Sequence, residues 1–500
     1  MNHKNIRFVW LGIASILLLF AGGRWNFVPA AWLASVFAMR FFRDSEKAGR
    51  NFLLLWLATA IPVVISWRGA TFMSFMHPAA EAGFFFLTAP LGLIPYVVDR
   101  LYSRRFGSPF WMTLVFPVAV TAMDFFSTSG SPFGTFGAGA YSQRDFVPVM
   151  QVASVTGLWG ITFLVGWFAS LVNYVWEKNF QLDRSALTSA GVLVLILALG
   201  MRRTLFYPQA GQTAQIAGFS LPNGTIPAMM SKLGSGDEAG FRQAVDVLHA
   251  QELEQIRTLA KQGAEIITLQ EGAGMGFTDQ VEKLLTDAAA LAQEAQIYIV
   301  LPTFTVGIQK PENVVHIIDP SGEIVLKHIK YGGTQFEGSL SGSGELQTVD
   351  TPYGKLSAII CWDADFPNVL RQAGQQDVDL LFVPSNDWLA VKDIHAGMAA
   401  FRAVENGVSI YRQTGSGVSS VIDAYGRTIH RVDAFDGEGN GNFAALQMVA
   451  TPIGSVSTLY PMIGDVVGNT MLVLFVGLLI GAWLSRKRVI ASAKVRTATA

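Results

Sequence analysis

Three residues of different chemistry stand at the ends of predicted strands: Glu271 closing "AEIITLQEG", Lys330 closing "VVHIIDPSGEIVLKHIK", and Cys361 inside "AIICWDADFP". Cys361 is the only cysteine among 500 residues. Each has an ordinary reading by itself. A free thiol behaves as a small buried hydrophobe, a Glu after a strand is a solvated loop residue or helix cap, and a Lys ending a hairpin is an exposed edge charge. Together they are a base, a cation and a nucleophile, the set that covalent acyl transfer needs. Glu271 can take the thiol proton and Cys361 can attack a carbonyl. Lys330, with the N–H groups around Trp362, can hold the developing oxyanion.

The surrounding elements must hold these groups in place. "KLSAII" reads as a buried strand, and "FPNVLRQAG" as a helix with Pro367 in its first turn and Gly374 near its end. Cys361 therefore falls at a strand-to-helix junction, where backbone N–H groups and a helix N-terminus are expected to lower a thiol pKa. Upstream, "TAQIAGF" reads as a strand, and the helical spacing of "DEAGFRQAVDVLHAQELEQIRTLAKQG" closes at Gly263. A helix over about 278–295, the strand "IYIVLPTFTV" and a hairpin turning at Pro320-Ser321-Gly322 follow. Downstream come the strand "VDLLFVPSN", a helix over roughly 394–406, and "VSIYRQTG", "SSVIDAYGRTI" and "NFAALQMV". Strands alternating with helices, then late hairpins, predict an α/β sandwich of two mixed sheets covered by helices.

The rest of the chain is of another kind. Hydrophobic residues make up 51% and charged residues only 15%, with a mean hydropathy of +0.37. Soluble domains carry about 25% charged residues, so the composition implies a membrane-embedded chain. A formal net charge of −1 argues against nucleic acid as a partner. One cysteine rules out an internal disulfide and a thiolate metal cluster, and seven histidines give no obvious metal site. Apolar runs near 6–23, 26–42, 51–66, 81–101, 109–127, 149–175, 185–201 and 467–485 predict about eight spans. The expected organisation is a bundle of about seven helices over 1–210, an α/β domain over 211–455, and a closing helix with a basic tail over 456–500. Arg40, Arg43, Lys47 and Arg50, then Arg100, Arg104 and Arg105, then Lys178 and Arg184, then Arg486, Lys487 and Arg488 all fall on one side if the N-terminus is cytoplasmic. Arg202 and Arg203 are a mild exception. The α/β domain is then outside, where an unpaired cysteine is unusual and worth keeping only for chemistry.

The order Glu, Lys, Cys, with "CWDADFPNVLR", "DLLFVPSNDW" and "FRAVENGVSIYRQTGSG", resembles the nitrilase (carbon–nitrogen hydrolase) superfamily over residues 212–450. That resemblance implies an αββα sandwich with a Glu-Lys-Cys triad. "SPFGTFGAGAYSQRDFVPVMQVASVTGLWGITFLVGWFASLVNYV" (131–175), with Gln151 and Gly157-Leu158-Trp159-Gly160, resembles the block found in apolipoprotein N-acyltransferases. This second resemblance implies a multi-pass protein of the cytoplasmic membrane with its catalytic domain outside. It implies acyl transfer from a phospholipid to the N-terminal amine of diacylglyceryl-cysteine on lipoproteins, through a cysteine thioester, with no cofactor and by a monomer. Carried over, Glu271 is the base, Lys330 the oxyanion stabiliser and Cys361 the nucleophile. Lys330 is preferred to Lys327 because it lies eight residues beyond Gly322. Glu337 falls where the family places a second essential Glu, and Trp362 and Asp363 occupy the aromatic and acidic positions after the cysteine as supporting or substrate-binding residues. His395 is expected to be structural. Gln270 stands where the family has proline. The same triad hydrolyses amides when water reaches the thioester, so a membrane-tethered amidase, or an acyltransferase for another amine, is the alternative.

Overall fold

Long apolar runs must satisfy their backbone internally, and in this chain they do so as helices. The computed structural model describes residues 3–44, 46–206, 212–435 and 444–498. The chain divides into one unit of Met1–Gly130, Gly137–Met201 and Ile463–Ala500, and a second of Ser131–Phe136 and Arg202–Met462.

In the first unit, six described helices are long and apolar enough to cross a membrane: Ala48–Ser66, Pro78–Phe106, Phe110–Thr128, Leu158–Glu177, Arg184–Phe206 and Val466–Leu484. These match six of the about eight expected spans. The first two expected spans are helices of 16 residues each, His3–Leu18 and Val28–Arg43, below the roughly 20 residues that a straight crossing uses. The expected span near 149–175 is also broken. Gly157, at φ +63°, ends the short helix Ala153–Thr156 before Leu158–Glu177 begins. Charged groups gather where helices end. Arg43 pairs with Asp99 at 2.6 Å and with Glu177 at 3.1 Å, and Arg40 reaches Glu177 at 3.6 Å. A separate cluster joins other loops, where Arg144 donates to the carbonyls of Gly22 and Gly23 and the Arg24 N–H donates to Ser66.

The second unit is a two-sheet sandwich. Its strands are β1 (Gln212–Ser220), β2 (Ile266–Leu269), β3 (Gly274–Phe277), β4 (Tyr298–Val306), β5 (Glu312–Ile318), β6 (Ile324–Ile329), β7 (Thr348–Thr351), β8 (Gly354–Ala358), β9 (Leu380–Phe382), β10 (Ser409–Arg412), β11 (Val418–Ile422), β12 (Thr428–Asp433) and β13 (Ala444–Ile453). One sheet runs β13-β1-β2-β4-β5-β6 with β3 on β4, and the other β12-β11-β10-β9-β8-β7. The continuous apolar runs follow from burial on both faces. Ile216, Ile266 and Val300 point between the sheets, toward Leu356, Leu380 and Phe382. Their chain neighbours Ala217, Ile267 and Ile299 pack outward with Ile256 and Leu291, which belong to the helices Glu238–Lys261 and Thr278–Ala295. Helices Pro367–Gln375 and Lys392–Asn406 belong with the other sheet. The two parallel centres, β1-β2-β4 and β8-β9-β10, direct their strand ends and following loops toward the site residues. Strands β3 and β7 and the helix Thr225–Gly234 were not anticipated from the sequence.

Candidate active site

Alternation along β6 decides which lysine faces inward. Leu326 and His328 are buried, Lys327 is exposed, and Lys330, one residue past the strand, is buried with only 1% of its side chain exposed. Its Nζ donates to Glu271 Oε1 at 2.7 Å and also to Glu337 Oε1. Asn313 on β5 donates its amide to the same Glu271 oxygen at 2.8 Å, and its carbonyl accepts the Lys330 N–H at 2.9 Å. Glu337 lies in the one-turn helix Thr334–Glu337, and Ser339 Oγ donates to its other oxygen at 3.2 Å. Burial pushes the Glu337 carboxyl up, against the pull of Lys330. The same burial opposes the Lys330 charge, yet Glu271, Glu337 and Cys361 together hold its pKa well above the usual value.

Cys361 does not begin a helix. Strand β8 ends at Ala358, Cys361–Asp365 form a 3₁₀ turn, and the helix starts only at Pro367. The Cys361 backbone sits at φ +46°, a left-handed conformation that non-glycine residues seldom adopt and that marks a position held by its surroundings. Its N–H donates to the Pro384 carbonyl at 2.9 Å. The carboxylate of Asp363 fixes the turn from within. Oδ1 accepts from the Tyr331 and Gly332 N–H groups at 2.9 and 2.7 Å, while Oδ2 accepts from Ile360 N–H at 3.0 Å and from His328 Nε2 at 2.8 Å. Asp363 is fully buried, so it ties the Lys330 and Cys361 segments together and presents no surface to a substrate.

The expected fall in the thiol pKa is not found. Burial pushes the Cys361 thiol well up, Glu271 and Asp387 add to this, and Lys330 and Arg412 oppose it. Burial disfavours the charged thiolate and is the largest contribution. The resting thiol is therefore protonated and needs a base.

Trp362 is half-buried and forms an aromatic wall. Phe336 stacks on it at 5.6 Å between centroids, and Phe133 stacks on Phe336 at 4.9 Å and lies 5.9 Å from Trp362. Phe133 comes from Ser131–Phe136, far upstream in sequence yet part of this unit. Thr135 anchors that segment by donating its N–H and Oγ1 to the Asp365 carbonyl at 2.8 and 2.9 Å. Two close approaches require glycine. A Cβ on Gly134 would lie 2.3 Å from that carbonyl oxygen, and one on Gly333 would lie 2.3 Å from the Trp362 ring. Gln270, in place of the family's proline, receives the Leu221 N–H on its side-chain oxygen at 2.9 Å.

A second polar group flanks the thiol. Cys361 Sγ, a carboxylate oxygen of Asp387 and a ring nitrogen of His395 lie within 4.8 Å of one another. Asp387 gives one oxygen to His395 Nδ1 at 2.9 Å and the other to the Arg412 guanidinium at 2.8 Å. With both oxygens engaged by protein cations, this group is an ion-pair network rather than a metal ligand set. Asp365 is four residues from Cys361 and its proximity is evident in the sequence, whereas nothing in the spacing of Asp387 places it beside the cysteine. Asn313, His328, Phe133 and Phe336 carried no signal at all.

A thiol, a carboxylate and an ammonium at the strand ends of such a sandwich describe a carbon–nitrogen hydrolase domain, and the carbon-nitrogen hydrolase family profile matches residues 236–445. Residues 14–171 match the apolipoprotein N-acyltransferase N-terminal domain. The chain belongs to the apolipoprotein N-acyltransferase family, whose members are acyltransferases, and it is a multi-pass membrane protein. An apolipoprotein N-acyltransferase of Geobacter metallireducens is 23% identical over 377 residues, covering 68% of this chain and 70% of that one. Another, from Pasteurella multocida, is 22% identical over 466 residues, covering 85% and 86%. A solved amidase from Nesterenkonia sp. is 16% identical, with 51% of this chain and 95% of that chain covered and a TM-score of 0.36.

Proposed function

We propose that this chain transfers an acyl chain from a phospholipid to the N-terminal amine of a diacylglyceryl-cysteine lipoprotein, by way of a thioester on Cys361. The observation that carries the reading is the match of residues 14–171 to the family's own membrane segment, in a chain whose other part holds Glu271 and Lys330 in contact beside a protonated thiol. Both hydrogen bonds to Glu271 fall on Oε1, which leaves Oε2 to take the proton from Sγ. The sulfur attacks the ester carbonyl, and Lys330 with the Trp362 N–H holds the oxyanion. Collapse expels the lysophospholipid alkoxide, which takes the proton back from Glu271. In the second half the amine attacks the thioester, gives its proton to Glu271, and the departing thiolate recovers it. Glu337 positions Lys330, Asp363 braces the turn, and Trp362 with its stacked rings supplies an apolar wall. The assay is direct: purified protein given phospholipid with a labelled acyl chain and a diacylglyceryl peptide is expected to label the peptide amine. Ammonia release from small amides without peptide labelling would instead identify an amidase.

We place the protein in the cytoplasmic membrane with residues 211–455 outside, between the bundle of 1–210 and the closing segment of 456–500. The orientation is supported by the alignment of the Lys and Arg clusters between the spans; Arg40 and Arg43 at the end of one helix meet Glu177 at the end of another, beside Asp99 of a third. Whether His3–Leu18 and Val28–Arg43 both cross or both do not, the number of crossings before β1 stays odd, so the sidedness is the same. A reporter fused after Met462 is expected to be active only if it is a type that works when exported. A cytoplasm-dependent reporter active there would overturn the orientation.

A further inference from the structure

The imidazole of His395, on the helix Lys392–Asn406, occupies a place that packing does not explain. It lies between two carboxylates from different loops. Nδ1 is 2.9 Å from Asp387 Oδ1, and Nε2 is 3.5 Å from Asp365 Oδ2, an ion-pair distance. Asp365 closes the turn that Cys361 opens, and Asp387 is tied through Arg412 to β10. The ring thus joins the turn of the nucleophile to the neighbouring strand end. Among the described residues, the charged and titratable groups facing it are Asp365 and Cys361 from the turn, Asp387 after β9, and Arg412 on β10. Arg402, on the ring's own helix, acts on Asp365 and is itself paired with Glu405 at 3.0 Å. The rings of Phe136, Trp362 and Trp388 complete the enclosure.

We infer that His395 is a positioning residue: as an imidazolium bridging Asp365 and Asp387 it locks the Cys361 turn and balances the carboxylates beside the thiol, which allows Cys361 to give up its proton. With His395 charged, this group holds two negative and two positive charges. With His395 neutral, one negative charge is left uncompensated next to the sulfur, and thiolate formation is opposed. Burial works against the His395 charge, but the two carboxylates raise its pKa to about 9. Its charge is therefore retained at neutral pH and lost as pH rises through about 9. The inference rests on the reading of Cys361 as nucleophile and not on the identity of the acyl acceptor.

Cys361 is the only cysteine, so iodoacetamide reports on it alone in the full-length protein, with no lipid or lipoprotein present. Alkylation rates are measured against pH for the wild type, His395→Gln, Asp365→Asn and the double variant, each checked by thermal unfolding. His395→Gln is expected to slow alkylation near neutral pH roughly ten-fold, as expected for one charge at this distance, and its profile is expected to converge on the wild type above about pH 9, where the wild-type imidazole has also lost its charge. The double variant restores the charge balance and is expected to return the profile toward wild type. Asp365→Asn alone is expected to move it to lower pH. A folded His395→Gln variant with the wild-type profile would overturn the inference, as would a folded double variant that fails to recover. If His395→Gln does not fold, an unshifted profile in Asp365→Asn overturns it. A failed acyl-transfer assay with these shifts present would count against the proposed acceptor alone.

Discussion

Lys330→Ala is expected to lower acyl transfer by ~10²–10³-fold, the usual cost of one oxyanion donor, while Lys327→Ala leaves it nearly unchanged. The two lysines are three positions apart on one hairpin, yet Lys327 is exposed and Lys330 is buried against Glu271 and Glu337. Removing Lys330 also strands two carboxylates in a buried site, and breaking a buried pair costs about 3–5 kcal/mol of stability. Loss of activity could then arise from unfolding, so a second variant separates the causes. Lys330→Ala combined with Glu337→Gln removes part of the stranded charge and is expected to recover stability without recovering turnover. Glu337→Gln alone leaves the Lys330–Glu271 pair in place and is expected to reduce turnover with little change in thermal unfolding. Steady-state rates and melting curves on the four proteins check this. Recovery of turnover in the double variant would show that Lys330 serves only to neutralise its neighbours.

The preference for Lys330 comes from its spacing beyond Gly322 in the resemblance. Alternation puts the two lysines on opposite faces of the strand but does not say which face is buried, and the hairpin register shifts between Ile317 and Ile318. The sandwich was legible because helical and strand periodicities alternate along residues 212–450. The turn carrying Cys361 was not. The helix start at Pro367 was read correctly, but the left-handed backbone of Cys361 is held by Asp363 through Tyr331, Gly332 and His328, and by the Pro384 carbonyl, contacts that no window around the cysteine contains. The direction of the thiol pKa was misjudged on the same ground, because burial is a property of the assembled fold. Phe133 is the extreme case. It lies in a stretch flanked by membrane-type sequence, and only the folded unit puts its ring on Phe336 and near Trp362. The edge of the first span was not legible either: apolar sequence continues past Leu18 after the helix has already ended.

Given phospholipid and no acceptor, the protein is expected to accumulate one acyl chain on Cys361. The thiol is neutral at rest because burial, Glu271 and Asp387 all raise its pKa, so attack requires Glu271 to take the proton as the bond to the carbonyl forms. Once the lysophospholipid has left, that proton has gone with it, Glu271 is a base again, and the thioester waits for a nucleophile. An amine held beside the bound acyl chain would attack it, whereas the stacked rings of Phe133, Phe336 and Trp362 make the wall beside the turn apolar and disfavour water there. Hydrolysis should then be slow compared with aminolysis, and the first half-reaction should stall at one acyl group per chain. Mass spectrometry of the peptide containing Cys361 is expected to show the added acyl mass, removable by hydroxylamine and absent in Cys361→Ala. Replacing Phe336 with alanine opens the stack and is expected to shorten the lifetime of that adduct in the absence of acceptor. A protein that stays unmodified with phospholipid but turns over small amides would retain the base, cation and thiol while losing the acyl donor assigned to it.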